Sequence, residues 1–327
     1  MRLIAKTLFA AVILIACRSG GALAADPMRI TIPGMISGFG DYFIAIDHGY
    51  FAQENIAAEL VQAGGSTAIP ALLAGDVQYA TSPGVAISAM LRGGELKIIY
   101  VNNDHVPYQL WSLNADVKTL ADLKGKQVGI ETRGDTHELS IRRALVNAGM
   151  DPASVILTPL SNRGAVVAGV TSGSLAAASM MTDELERLRS NATAHMVFDL
   201  ETIPLIAGGG VVSEKLLAEN RPLVKRFLRA AIKGRRRADA FPDDVVTATR
   251  KRNATQTPAE IRAAMESTRD LATKDGTISL DLQKQEIANR SEVLGIPSEK
   301  RRDPATMFDF SLLREVNAEL DKEGWKP

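Results

Sequence analysis

Residues 28–49 read MRITIPGMISGFGDYFIAIDHG: a β-like run over 28–32, a glycine-rich loop from Gly34 to Gly40, and a helix that Asp41 caps and Gly49 ends. The same strand–loop–helix unit recurs downstream. Residues 57–62 form a second strand, followed by Gly64-Gly65-Ser66-Thr67 and a helix to Gly75. Pro70 fits that helix only within its first turn, so Thr67 rather than Ser66 is the expected N-cap. Val77–Thr81 is the next strand, then Ser82-Pro83-Gly84 opens a helix to Arg92, and Leu96–Asn102 is a further strand. Strands alternating with helices predict α/β layers.

A second series begins at Gln127–Glu131, with the loop Thr132-Arg133-Gly134-Asp135-Thr136 and a helix over 137–148. Val155–Leu157, Ser161-Asn162-Arg163-Gly164 and a helix to Gly173 follow, then Leu175–Ser179 and a charged helix capped by Thr182. Leu72-Leu73-Ala74-Gly75-Asp76-Val77 and Val170-Thr171-Ser172-Gly173-Ser174-Leu175 have the same shape, which fits two related lobes. From Ser213 the pattern is helical. Thr257-Pro258-Ala259-Glu260 is a capping box with proline at N1, and Arg235-Arg236-Arg237 reads as the solvated face of an amphipathic helix. Asp303-Pro304 is expected to start a last helix, with Phe310, Leu313, Val316 and Leu320 on one face.

At the N-terminus, Arg2 and Lys6 precede the apolar run LFAAVILIA (8–16), and Ala22-Leu23-Ala24 offers a small-x-small cleavage site. This is the anatomy of a secretory signal peptide over residues 1–24, and the run is about half of what a membrane span needs. Cys17 ends a lipobox-like Leu14-Ile15-Ala16-Cys17, so a lipid anchor at Cys17 stays open beside ordinary cleavage. Removing Arg2, Lys6 and Arg18 from the balanced 38 basic and 38 acidic residues leaves 35 basic against 38 acidic. Such a balance gives no reason to expect nucleic acid or a polybasic membrane contact. The remaining chain has no cysteine, which excludes a disulfide framework, a thiolate metal site and a thiol nucleophile.

Enzymatic motifs are missing. The four histidines, at 48, 105, 137 and 195, lie far apart, and His137-Glu138 lacks a second histidine because position 141 is isoleucine. There is no G-x-S-x-G, P-loop or calcium loop. What recurs is a polar, glycine-containing loop before a helix, at Ser37–Gly40, Gly64–Thr67, Arg133–Thr136 and Ser161–Gly164. The unpaired N–H groups of a helix start favour an anion or polar oxygen, although the same side chains also serve as simple caps. The expected ligand-binding residues are Ser37, Gly38, Phe39, Ser66, Thr67, Ser82, Arg133, Gly134, Asp135, Thr136, Asn162 and Thr182. No catalytic residue, metal or cofactor is expected.

Four motifs in order carry a family resemblance. Gly49-Tyr50-Phe51-Ala52-Gln53-Glu54-Asn55-Ile56 resembles the opening signature of the NMT1/THI5-like periplasmic binding proteins. Ala71–Val77, Arg92-Gly93-Gly94-Glu95-Leu96-Lys97 and Leu120-Ala121-Asp122-Leu123-Lys124-Gly125-Lys126 resemble its later ones. The group includes nitrate, taurine, aliphatic-sulfonate and thiamine-precursor binding proteins. This chain departs from the usual pattern at Gln78 and Ala176, where an acid is common, and at Asn55, where glycine is common.

The resemblance implies a type II periplasmic binding protein fold, with two α/β lobes joined by a two-segment hinge. Lobe 1 would take residues 26–113 plus 205–327, and lobe 2 residues 114–204. The crossings would lie near Leu110–Leu113 and Ile203–Val212, with Gly208-Gly209-Gly210 as hinge glycines or as a strand closely approached by another backbone. The implied function is the periplasmic solute-binding component of an ABC importer, a monomer that closes on a small molecule and docks on an inner-membrane permease. A sensor role is the alternative, and a pyrimidine-synthase role is disfavoured by the lack of cysteine. An anionic ligand would suit Arg133 and the helix starts, whereas a planar heterocycle would stack on Phe39, Tyr108 or Trp111.

Overall fold

The computed structural model describes residues 24–327, apart from Thr132, Ser161, Asn162, 182–184, 186–187, 189–190 and the side chain of Arg163. The leader expected over 1–24, except Ala24, and the expected site residues Asn162 and Thr182 thus lie outside the described residues. Among the described residues no helix is long and apolar enough to cross a membrane.

Two five-stranded sheets organise the chain. The first contains β1 (Asp26–Ile32), β2 (Ile56–Gln62), β3 (Tyr79–Ala80), β4 (Leu96–His105) and β10 (Pro204–Ser213), in the order β2-β1-β3-β10-β4. The second contains β5 (Gln109–Ser112), β6 (Gln127–Ile130), β7 (Ile156–Pro159), β8 (Ala177–Met180) and β9 (His195–Asp199), in the order β7-β6-β8-β5-β9. β1 runs parallel to β2 and β3 in the first sheet, and β6 runs parallel to β7 and β8 in the second; an antiparallel strand, β10 beside β3 and β5 beside β8, follows in each. Gly75 and Gly173, at matching helix ends, both adopt positive φ, 86° and 75°. The likeness between the two halves is therefore one of topology as well as of sequence.

The sheets exchange strands twice. The chain leaves the first sheet after β4, enters the second at β5, and returns between β9 and β10. Gln109–Ser112, expected in the first lobe, thus pairs in the second sheet, and the first crossing is at residues 106–108. The second is at 200–203. Strand pairing sets the change of sheet: Leu110 partners Ser179 and Phe198, both in the second sheet.

Helices α1 (Gly40–Asp47), α2 (Tyr50–Gln53), α3 (Gly65–Ala74) and α4 (Pro83–Leu91) lie in the first series, and α5 (Thr136–Asn147) and α6 (Arg163–Thr171) in the second. The C-terminal helices α7 (Glu214–Glu219), α8 (Arg221–Ala240), α9 (Pro242–Arg252), α10 (Pro258–Thr268), α11 (Leu280–Val293) and α12 (Ser311–Lys322) follow. Met28, Ile30 and Ile32 of β1 share one core with Phe227 of α8 and Leu313, Val316 and Leu320 of α12, all fully shielded from water. Each such aliphatic burial contributes roughly 1.5–3 kcal/mol. The second sheet has its own core around Val128, Ile130 and Leu145.

Several local expectations change. The helix after β2 starts at Gly65 with Gly64 as its N-cap, so Thr67 is not a cap and Pro70 lies beyond the first turn. Gly65 permits this early start, because a Cβ there would come 2.6 Å from Val85 on α4. Asp41 lies inside the first turn of α1, whose N-cap is Phe39. Asp303-Pro304 opens a short 3-10 turn, and the last helix begins at Ser311. The Thr257 capping box is present, with reciprocal bonds between Thr257 and Glu260. Asn55 adopts the left-handed φ of 55° that the family's usual glycine would take, a conformation asparagine tolerates better than most residues.

Gly208-Gly209-Gly210 belong to β10 in the first sheet, beyond the crossing. A Cβ on Gly209 would meet the Tyr100 carbonyl oxygen at 2.4 Å, and one on Gly210 would overlap the Tyr79 hydroxyl. Close approach explains Gly209 and Gly210, and a positive φ of 67° explains Gly208.

Candidate functional site

A cavity of about 700 Å³ lies among the elements around the two crossings. Ser37, Phe39, Asp41, Ser82 and Gly84 line it from the first series, Tyr108 from the first crossing, and Asp135 and Thr136 from the start of α5. Arg235 of α8 and Arg290 of α11 complete its charged lining with Asp239, Arg269 and Lys274.

Of the residues expected to bind ligand, the structure brings Ser37, Gly38, Phe39, Ser82, Asp135 and Thr136 together around the cavity. Ser66, Thr67, Arg133 and Gly134 are not in its lining, and Arg133 is exposed. Phe39 and Tyr108 line the cavity, whereas Trp111 does not; its indole N–H donates to Gln109 Oε1 at 3.0 Å.

The start of α5 shows how local chemistry arranges the loop. Asp135, not Thr136, is the N-cap, accepting from the Glu138 N–H at 2.9 Å. Glu138 reaches back to accept from the Gly134 N–H at 2.8 Å and also holds Arg142. This releases the Thr136 hydroxyl for the Tyr108 hydroxyl, 3.1 Å away. His137 stacks beneath the Tyr108 ring, and its Nδ1 lies 2.9 Å from Ser179 Oγ.

Three charged features that sequence reading did not assign to the site shape its electrostatics. Asp41 Oδ1 accepts from the Tyr42 N–H at 2.9 Å, while Oδ2 is buried without a hydrogen-bond partner among the described residues. Burial pushes its carboxyl up to about 6, against the opposing pull of the Arg235 charge. Arg235 donates to the Tyr100 hydroxyl at 3.1 Å and pairs with Asp239 at 3.1 Å. The three arginines at 235–237 are half-buried and engaged, so the solvated face expected there is corrected: α8 is flanked by α1, α9 and α12. Arg236 pairs with Asp321 and Arg237 with Asp244.

Arg290 and Glu286 form the third feature, with side chains 1% and 0% exposed. Glu286 Oε2 lies 3.3 Å from Arg290 Nε, and Oε1 accepts from the Ile206 N–H at 2.8 Å. Arg290 Nη1 donates to the Gly134 carbonyl at 3.4 Å, which links α11 to the loop before α5. Nη2 has no hydrogen-bond partner among the described residues. Nothing in the local sequence of α11 marks these two residues, except that an i,i+4 charged pair occurs in a helix whose neighbouring Ile287 is apolar and buried. Among the described residues no group of three His, Asp or Glu side chains is arranged to hold a metal ion.

Known proteins share this architecture. The periplasmic sulfonate-binding protein SsuA from Methylobacillus flagellatus KT superposes with a TM-score of 0.74 at 15% identity, covering 93% of this chain and 97% of that one. The alkanesulfonate-binding protein SsuA from Xanthomonas axonopodis pv. citri, bound to MOPS, gives 0.71 at 14%, covering 86% and 98%. The desulfurization enzyme DSZB has the same fold, with a TM-score of 0.61 at 14% identity over 90% of this chain and 99% of that one. In sequence, the riboflavin-binding protein RibY of Chloroflexus aurantiacus is 23% identical over 216 residues, 63% of this chain and 60% of that protein's length. The fold is that of the periplasmic binding proteins. The NMT1/THI5-like family pattern matches residues 37–245, and the chain belongs to that family.

Proposed function

We propose that this chain is the periplasmic solute-binding component of an ABC importer, capturing a small polar organic molecule with an anionic group and passing it unchanged to an inner-membrane permease. The observation that carries this reading is the charged cavity beside two crossings, lined by residues of both strand–helix series. That arrangement suits closure of one lobe on the other about residues 106–108 and 200–203, with strands β1–β4 and β10 in one lobe and β5–β9 in the other. Likeness to two sulfonate-binding proteins supports an anionic ligand. A monomer in the periplasm fits the same role.

Binding without catalysis is the better reading of the local chemistry. The Ser179–His137 pair is 2% and 5% exposed and does not line the cavity, so a substrate there would not reach it. A neutral ring ligand is the second reading, favoured by Tyr108 in the lining and by the riboflavin-binding relative.

A thermal-shift screen of sulfonates, carboxylates, nitrate, pyrimidines and riboflavin tests the assignment, because a ligand of the folded state raises its melting temperature. The stabilising compound, incubated in excess with the protein, should be recovered unchanged by mass spectrometry. A product formed in more than stoichiometric amount would defeat the binding-protein reading.

A further inference from the structure

Helix α10 (Pro258–Thr268) forms part of the cavity wall yet is held to the rest of the protein by little. Met265, Thr268 and the following Arg269 line the cavity. Of the eleven residues of α10 only Ile261 is buried, whereas α8 buries nine of its twenty. A helix this short is marginal in water without a packed face. Arg262 reaches Asp243 of α9, but both side chains are more than half exposed, and such a pair contributes little.

The two ends of the segment are fixed far better than its middle. Before the helix, Asn253 Nδ2 donates to the Met35 carbonyl at 3.2 Å, and Asn253 Oδ1 accepts from the Thr255 N–H at 3.2 Å. After it, the Thr273 N–H donates to the Asn102 carbonyl at 2.8 Å and the Thr273 hydroxyl to the Val101 carbonyl at 2.6 Å. Ala272 pairs with Asn103 of β4. Between these anchors α10 packs on α9 and on the 3-10 turn Ser37–Phe39, both on the side of the first sheet.

We propose that residues 258–272 are a lid, which swings about its two pinned ends and uncovers the cavity without the two lobes parting. This rests on the reading of the cavity as the solute's site, and adds to lobe closure a second way of opening it. The lid lies beyond residues 37–245, which match the family pattern. Opening gives up the burial of Ile261 and the packing of Met265 on the first core, while Met28, Ile30 and Phe227 in that core keep their places. That makes it a local excursion, with a free energy far below that of global unfolding. The lid is therefore shut most of the time and opens often.

Two readouts of the motion in the ligand-free full chain provide the test: hydrogen exchange of the α10 amides, and labelling of a single thiol in the cavity. Ser82→Cys places the thiol on the cavity wall, and Cys17→Ser removes the one native cysteine. The α10 amides should exchange at least about a hundredfold faster than those at the centre of α8. Ile261→Ala should speed α10 exchange and thiol labelling by one common factor, about tenfold or more. Ile261→Val should speed both by about twofold to tenfold, and it keeps the test decisive if the alanine variant does not fold. The proposal fails if α10 and α8 amides exchange at one rate, if labelling does not follow α10 exchange, or if neither responds to Ile261. None of those results touches the solute-binding assignment, which falls instead if a compound found in the thermal-shift screen is turned over.

Discussion

The Tyr108 ring lies parallel to the His137 imidazole, with centroids 3.8 Å apart and planes at 13°, tying the first crossing to the start of α5. The Tyr108 hydroxyl adds a 3.1 Å contact to Thr136 Oγ1. An aromatic stack contributes roughly 0.5–1.5 kcal/mol and a hydrogen bond roughly 0.5–1.5 kcal/mol. Tyr108→Leu should therefore cost about 1–3 kcal/mol in urea unfolding, and Tyr108→Phe about half of that. Equal losses in the two variants would show that the hydroxyl, and not the stack, holds the crossing.

Asp41 makes stability depend on pH. Burial raises its folded value to about 6 from 3.8, with Arg235 lowering it and Asp239 raising it. An acid raised in this way costs stability once ionised: the cost is complete above about pH 6 and fades as the pH falls towards 4. The linkage amounts to about 3 kcal/mol. Asp41→Asn should thus stabilise the ligand-free protein by up to that amount at pH 7.5 and by little at pH 4. Urea titrations at both pH values would measure it, and a variant that is no more stable at pH 7.5 contradicts the argument.

Sequence reading placed the parallel strands of both sheets to within two residues or so, because each is a short apolar run between turn residues. It was less informative for β5, β9 and β10, which pair antiparallel with strands distant in the chain. Register over such distances is set by tertiary contacts, so Gln109–Ser112 gave no local sign of belonging to the second sheet. The site divides similarly. Ser37, Phe39, Ser82, Asp135 and Thr136 were legible because helix starts follow strands. Arg235 and Arg290 were not, since a charged residue on a helix looks solvated until its packing partners are known. Thr67 illustrates the opposite error: with Gly64 as the actual cap, Thr67→Ala should alter stability by no more than about 0.5 kcal/mol.

Gly210 offers a direct test of close packing at β10. A Cβ there would overlap the Tyr79 hydroxyl, which is itself 2.8 Å from the Tyr42 hydroxyl. Both tyrosines are fully buried, so neither can swing into solvent. Gly210→Ala should destabilise by about 1–3 kcal/mol through overpacking. Pairing it with Tyr79→Phe should recover part of the loss, since the overlapping oxygen is removed. Thermal unfolding that shows no recovery in the pair would locate the strain in the Tyr79 ring, whose Cε2 the Cβ would also meet at 2.7 Å.

The Glu286–Arg290 pair gives the sharpest energetic prediction, because both partners are shielded from water and one bond from Glu286 supports the backbone at Ile206. Burial pushes the Glu286 carboxyl up and the Arg290 guanidinium down, and their mutual attraction offsets only part of each effect. Arg290→Met alone leaves a buried carboxylate without its cation, which should cost about 3–5 kcal/mol. The Glu286 carboxyl then lies still further above its ordinary value. The deficit should be full at neutral pH and shrink as the pH falls and the folded protein takes up that proton. Adding Glu286→Gln removes the stranded charge while keeping an acceptor for the Ile206 N–H, so the double variant should recover most of the loss. A four-protein cycle in urea at pH 7.5 measures the coupling. Strictly additive single losses would mean that the two charges do not stabilise each other, and that Arg290 is held in the cavity wall by packing and its bond to the Gly134 carbonyl.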